Sequence, residues 1–143
     1  MTVTEHLKRI LADTYALQLK TQNYHWNVQG AHFKQLHELF ESQYDELAEA
    51  VDEVAEHIRQ LGIKAPGSFR AFEELKSISD ADDNLDEQGM VQSLLDSHEA
   101  FLEALEAGRA AAESADDEVV NDFLIGRLTA HRKLAWFLKS SLA

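Results

Sequence analysis

Apolar residues recur at steps of three and four along most of this chain, the spacing that places them on one face of an α-helix. The first such run starts near Thr2, whose spacing to Glu5 fits a capping box. Gly30 ends the run and leaves Gln29 as the last helical residue. The apolar stripe of this predicted helix consists of Leu7, Ile10, Thr14, Leu17, Thr21, Tyr24 and Val28.

A second run predicts a longer helix, from Ala31 or His32 to Leu61, which Gly62 stops. Its apolar positions come close to a strict 3.5-residue repeat, the packing pattern of a helix bundle. The stripe consists of Phe33, Leu36, Phe40, Tyr44, Leu47, Val51, Val54, Ile58 and Leu61.

The second half of the chain predicts two further long helices, over residues 86–113 and from an acidic cap region at 114–117 to about 141. Their stripes consist of Val91, Leu94, His98, Phe101 and Leu105, and of Val120, Leu124, Leu128, His131, Ala135, Leu138 and Leu142. Residues 69–76 form short helical turns within the long middle connection. Such a crossover between helices two and three is typical of the ferritin-like four-helix bundle. We expect an all-α fold with residues 1–143 in one domain.

The composition limits which partners and which metal ligands the chain can have. Lys and Arg number 13 against 26 Asp and Glu, a formal net charge of −13, which disfavours nucleic acids and anionic membranes and favours cations. No cysteine is present, so histidines and carboxylates must hold any metal, and such ligands suit iron, manganese or zinc. The first residues lack a signal-peptide pattern, and no apolar run approaches the roughly 20 residues that span a bilayer. We expect a cytoplasmic protein without a membrane partner.

The candidate metal ligands are His25, His37, Glu41, Asp52 and Glu56. On a helical wheel with His37 at zero, Glu41, Asp52 and Glu56 fall near ~40°, ~60° and ~100°, whereas the core stripe occupies roughly 240° to 340°. An exposed acidic residue is usually only solvated, and a histidine beside a tryptophan usually only packs. The combined pattern, however, predicts a ligand face that points away from the bundle core.

Distance along the helix indicates that one chain cannot complete this site. His37 and Asp52 are 15 residues apart, which is roughly 22 Å on one helix. A metal–ligand bond is about 2 Å long, so one ion cannot bind both residues of the same helix. Two copies running antiparallel across a two-fold axis bring His37 of one chain to Asp52 and Glu56 of the other. His25 can approach His37 across the Gly30 turn.

These residues lie in a recognisable signature. It reads His25-Trp26-Asn27-Val28-x-Gly30-x-x-Phe33-x-x-Leu36-His37, then Asp52-x-x-Ala55-Glu56 and Leu61-Gly62, and it continues in Ala65-Pro66-Gly67, Asn121-Asp122 and Trp136. The signature resembles that of the Dps family (DNA-binding protein from starved cells), the mini-ferritins, and the resemblance covers essentially the whole chain.

The resemblance implies a hollow homo-dodecamer with ferroxidase sites at its two-fold interfaces. Each site would hold one or two iron ions between His25, His37 and Glu41 of one chain and Asp52 and Glu56 of its neighbour. Members of the family typically oxidise Fe(II) with hydrogen peroxide and store the ferric mineral, which protects against oxidative stress. For this chain, O2 is the alternative oxidant.

The resemblance also assigns two roles outside the ligand set. Trp26 would donate an electron to a radical, although packing explains an aromatic residue there equally well. Glu118 and Asp122, within an acidic cluster that includes Glu113 and Asp117, would line a three-fold pore for iron entry. The alternative is that these acids only stabilise the N-terminus of the last helix.

Four further histidines, all outside the predicted ligand set, have expected positions. The family commonly has Arg at the position of His57, and His32 is an additional histidine; we expect both at the surface. We expect His98 and His131 to be satisfied core or interface histidines rather than ligands.

An alternative function is a DNA-binding, nucleoid-compacting protein, but this requires a basic tail, and the chain has only Lys8, Arg9 and Lys139 near its ends. We expect no DNA binding.

Overall fold

The computed structural model describes all 143 residues and is entirely helical. Its helices are α1 (Val3–Asn27), α2 (Phe33–Gln60), α3 (Phe69–Leu75), α4 (Glu87–Ser114) and α5 (Glu118–Leu142). The four long helices form a bundle in which α1 pairs with α2 and α4 pairs with α5, and the short α3 lies in the crossover. This confirms the predicted fold class. None of the helices combines the length and apolar character needed to cross a membrane.

The helix ends differ from the predictions by one or two residues. The capping box is present, because the Thr2 hydroxyl accepts from the Glu5 N–H and the Glu5 carboxylate accepts from the Thr2 N–H. α1 ends at Asn27 rather than Gln29, since Val28 already has an extended backbone (ψ 139°) ahead of the turn. Gly30 then adopts a φ of +135°, a conformation that side chains with a Cβ rarely adopt.

The crossover is anchored to α1 by a buried carboxylate. Asp13 accepts hydrogen bonds from the backbone N–H groups of Ser77 (2.7 Å) and Ile78 (3.0 Å) and from the Ser77 hydroxyl (2.9 Å). Lys20, also buried on α1, donates to the Ser79 hydroxyl at 3.2 Å. These contacts hold the connection along the bundle, so that α4 starts beside the α1–α2 turn.

The apolar core has two parts. The part near the α1–α2 turn contains Tyr24, Val28, Leu36, Phe40, Met90, Val91, Leu94, Leu95 and Leu138. The other part contains Leu7, Ile10, Leu11, Leu17, Leu47, Val54, Ile58, Ile78, Phe101, Leu105, Ala112, Val120 and Leu124. The buried stripe of α2 is shorter than predicted, because Phe33 and Leu61 at its ends are exposed, and it also includes Gln43 and Ala50.

A buried polar layer lies among these helices. The Arg127 guanidinium donates to His131 Nε2 at 3.0 Å, so the proton of the neutral His131 ring is on Nδ1. That proton is donated to His98 Nδ1 at 2.9 Å, which leaves the His98 proton on Nε2. His98 Nε2 has no partner, so only His131 is satisfied as predicted. Arg127 also forms an ion pair with Glu46 of α2.

The layer depresses the basicity of both histidines. Burial, followed by the positive charge of Arg127, lowers the pKa of His98 to about 4. Burial and the neighbouring His98 and Arg127 lower the pKa of His131 well below its ordinary value. Both imidazoles are therefore neutral at physiological pH.

We predict that this layer makes the fold acid-sensitive. In the unfolded chain the His98 imidazole becomes protonated as the pH falls through 6.5, whereas in the folded chain its pKa is lowered to about 4. Stability is therefore lost as the pH falls below 6.5, by up to about 3 kcal/mol per chain at pH 4. His98→Gln removes this contribution and flattens the pH dependence, as urea unfolding between about pH 7 and 4.5 would measure. His57→Gln, outside the layer, is the control; an unchanged slope in His98→Gln would contradict the prediction.

Candidate metal centre

His25 and His37 are tied together by two reciprocal hydrogen bonds. His25 Nδ1 lies 2.7 Å from the His37 carbonyl oxygen, and His37 Nδ1 lies 2.7 Å from the His25 carbonyl oxygen. A carbonyl oxygen can only accept, so both Nδ1 atoms carry the proton. In the neutral rings both Nε2 atoms keep a free lone pair, the form in which imidazole binds a metal.

The helix ends explain why these bonds form. The His25 carbonyl is among the last four of α1, which have no partner within the helix. His37, on the second turn of α2, supplies the missing donor. The turn at residues 28–32 thus brings two side chains 12 residues apart into direct contact.

Aromatic rings enclose the pair. The His25 and His37 rings stack with centroids 3.8 Å apart, and Phe33 stacks on the outer face of His37 at 5.1 Å. Tyr44 meets His25 edge-on at 5.2 Å. Phe33 and Tyr44 were predicted in the core stripe, but the structure places them around the imidazoles, with Phe33 44% exposed. Phe33 lies one helical turn before His37 and Tyr44 lies two turns after it, and this spacing was the available signal.

Two carboxylates of α2, Glu41 and Asp45, act on Tyr44 electrostatically. Burial, then the negative charges of Glu41 and Asp45, raise the pKa of the Tyr44 hydroxyl, which keeps its proton at neutral pH. Glu41 is one turn beyond His37 on α2 and is exposed. The resemblance assigns Glu41 to the ligand set of the histidine pair, but the three side chains form no group arranged to hold a metal within one chain.

The predicted ligands Asp52 and Glu56 are exposed further along α2. The wheel argument holds for all three acids, because none of them faces the apolar core. Within one chain, no group of three or more His, Asp and Glu side chains is arranged to hold a metal ion. The structure therefore brings together His25 and His37, whereas their meeting with Asp52 and Glu56 stays a prediction.

Known proteins share both the sequence pattern and this architecture. A family model described as a ferritin-like domain matches residues 4–143. "DNA protection during starvation protein 2" of Bacillus anthracis is 37% identical over 140 residues, which cover 98% of this chain and 96% of that one. The crystal structure of a Dps protein from Bacillus brevis superposes with a TM-score of 0.96 at 32% identity, covering 99% and 95% of the two chains. The chain belongs to the Dps family.

A second solved relative indicates the chemistry of the wider group. The Dps protein of Vibrio cholerae O1, described as a member of a broad superfamily of ferritin-like diiron-carboxylate proteins, superposes with a TM-score of 0.94. It is 28% identical, and the match covers 99% of this chain and 89% of that one. Membership in the Dps family supports a role in iron storage or protection.

Three residues named outside the predicted ligand set differ in their surroundings. Trp26, the predicted electron donor, is 62% exposed beside the buried His25. His57 is half-buried and stacks on Phe123 at 4.1 Å, rather than lying free at the surface. His32 is exposed as predicted, but its ring is bonded to Glu87 of α4.

The acidic cluster at the start of α5 separates into two kinds of residue. Asp117 is the N-cap and accepts from the Val120 N–H at 3.0 Å, and Glu113 pairs with Arg109 at 3.0 Å. Glu118 and Asp122, the predicted pore residues, are exposed on the first turns of α5. These two carboxylates are thus the ones open to a cation, and their place in a pore stays a prediction.

Proposed function

We propose that this chain assembles into a closed homo-dodecamer that oxidises Fe(II) at sites shared between chains and stores the ferric product. One observation carries the proposal: the reciprocal hydrogen bonds that leave the Nε2 atoms of two stacked imidazoles, His25 and His37, without a proton in the neutral rings. Imidazole nitrogens and carboxylate oxygens together accept both Fe(II) and Fe(III). The donor set on this face of the chain therefore fits iron as a substrate.

A partner chain would complete the site. One metal ion cannot reach both His37 and Asp52 of the same helix, and a single chain contains no closed ligand group. A two-fold axis beside α2 would set Asp52 and Glu56 of a second copy against the His25 and His37 pair. Two equivalent sites per dimer follow from the symmetry.

The reaction needs few protein groups. Hydrogen peroxide takes two electrons from two Fe(II) ions and yields two hydroxide ions, so no hydroxyl radical is released. His25 and His37 contribute neutral lone pairs, and the carboxylates balance the charge of the ferric product. The exposed indole of Trp26 would give an electron to any radical formed nearby. O2 is the alternative oxidant. Each site would hold one or two iron ions.

Iron would enter at the α5 N-termini. Three copies of Glu118 and Asp122 around a three-fold axis would concentrate negative potential and draw in Fe(II). Since neither carboxylate caps the helix as Asp117 does, both keep their charge available for the cation.

We expect Asp122→Asn to slow iron uptake by removing one negative charge per chain from the pore. The initial rate of Fe(II) oxidation at low iron should fall several-fold. The rate should also become less sensitive to salt, because the variant pore has a weaker negative potential for salt to screen. Glu99→Gln removes one exposed charge from α4 and is the matched control. Equal rates in the two variants would argue against the pore.

Shared sites can be tested with two variants that each lack one ligand. His37→Ala and Asp52→Ala should each reduce the initial rate of Fe(II) oxidation by about tenfold or more, because every site loses a ligand. Neither side chain belongs to the apolar core, so the fold should survive. Circular dichroism and light scattering would check that the folded shell persists.

Co-refolding these two variants then distinguishes shared from private sites. In a dimer with one chain of each kind, one site lacks both ligands and the other regains a full set. Half of the sites in such dimers should be active, or about a quarter of all sites after random pairing. Activity that fails to recover in shells shown by mass spectrometry to contain both chains would refute the shared site.

DNA should not be retained at physiological salt. The net charge of −13 per chain repels phosphates, because 26 Asp and Glu outnumber 13 Lys and Arg. A gel-shift titration with duplex DNA at neutral pH is expected to show free DNA throughout. A stable complex that dissociates as salt is raised would show that a basic surface on the shell dominates the net charge.

A further inference from the structure

The α1–α2 turn is held from outside by Glu87 at the start of α4. One carboxylate oxygen, Oε2, accepts from the His32 backbone N–H at 3.1 Å. The other, Oε1, lies 2.7 Å from His32 Nδ1. Both contacts cross 55 residues of sequence and reach the five-residue segment between the two helices that carry the histidine pair.

Gly30 makes room for this carboxylate. A Cβ at position 30 would lie 2.6 Å from Glu87 Oε2 and 2.9 Å from its Cδ, closer than atoms tolerate. The glycine also allows the φ of +135°. Any side chain at position 30 would therefore push the Glu87 carboxylate away from His32.

Glu87 also caps the N-terminus of α2, a role that no side chain of α2 fills. The N-cap residue, His32, makes no side-chain capping bond, and the first turn of α2 contains no acid. The carboxylate supplies both an acceptor and a negative charge at this helix N-terminus. Hydrogen bonds from His32 lower the pKa of Glu87, so it is ionised at neutral pH.

We infer that Glu87 is a positioning residue for the candidate metal centre, acting through His32. The start of α2 sets the height and rotation of His37, which lies five residues after His32. Two hydrogen bonds of 2.7 Å between His25 and His37 require a fixed register between the helices. By holding that register from α4, Glu87 keeps the two imidazoles in the stacked, hydrogen-bonded arrangement that leaves both Nε2 atoms free for a metal. This inference rests on the proposed function.

The test uses assembled, metal-free shells titrated with Co(II), whose visible absorption reports ligand geometry. Glu87→Ala should weaken Co(II) binding about tenfold, as loss of an orienting partner usually does, and should alter the absorption of bound Co(II). Glu87→Gln, which keeps one acceptor for the His32 N–H, should recover part of the affinity. Glu99→Ala removes an exposed acid from the same helix and should match wild type.

Two further measurements separate positioning from a general effect on α4. Hydrogen exchange of the metal-free shell should accelerate at residues 28–37 in Glu87→Ala. His32→Ala should also weaken Co(II) binding, and the double variant His32→Ala, Glu87→Ala should be no weaker than Glu87→Ala alone. Additive losses would instead mean that Glu87 acts on its own helix.

The outcomes separate the two proposals. Faster exchange at the turn with wild-type Co(II) affinity and absorption would show that Glu87 secures only the turn, and would overturn the inference. If wild-type shells bind no Co(II), or bind it equally well in His37→Ala, the proposed metal centre itself is wrong.

Discussion

The candidate metal centre depends on the positions of two protons. Each sits on an Nδ1 atom, His25 or His37, and each is donated to the other residue's backbone carbonyl. The bonds join the end of α1 to the start of α2, and they also fix the tautomer that leaves Nε2 free. Since both partners belong to one hairpin, the chain organises half of the proposed site before it meets another copy.

The same argument excludes the histidines of the bundle interior as ligands. His131 Nε2 accepts from Arg127, and His98 Nδ1 accepts from His131, so no imidazole lone pair in this layer remains for a metal. Burial and Arg127 also oppose any added positive charge there. Tautomer, set by the nearest hydrogen-bond partner, thus distinguishes two histidine pairs that residue type alone cannot separate.

Local patterns in the sequence predicted the helices, the Thr2 cap and the exposure of Asp52 and Glu56. The end of α1 was predicted two residues late, because the chain becomes extended at Val28, ahead of Gly30. Phe33 looked like a core residue since periodicity cannot distinguish a core face from a stack on an imidazole. Both errors lie at the ends of helices flanking the α1–α2 turn, where local backbone geometry and a stack within α2 decide the structure rather than periodicity.

Contacts between distant segments left no such pattern. The bonds from Glu87 to His32 span 55 residues, and nothing in the spacing of either residue indicates the other. Gly30 was recognised as a helix terminator, but its second property, the space it leaves for a carboxylate, depends on where α4 begins. Completion of the site by a second chain was inferred from the face that the acids share on α2 and from the distance between His37 and Asp52.

Electrostatics would link the proposed site to assembly. In the proposed dimer, Glu41 of one chain and Asp52 and Glu56 of its neighbour bring several negative charges together across each half of the interface. Two chains of charge −13 already repel one another, so apolar contacts must overcome this penalty. A divalent cation bound between the chains reduces it. By thermodynamic linkage, iron would then stabilise the pairing by the same factor by which pairing strengthens iron binding. The acidity that makes the face attractive to Fe(II) would thus also make its assembly sensitive to metal.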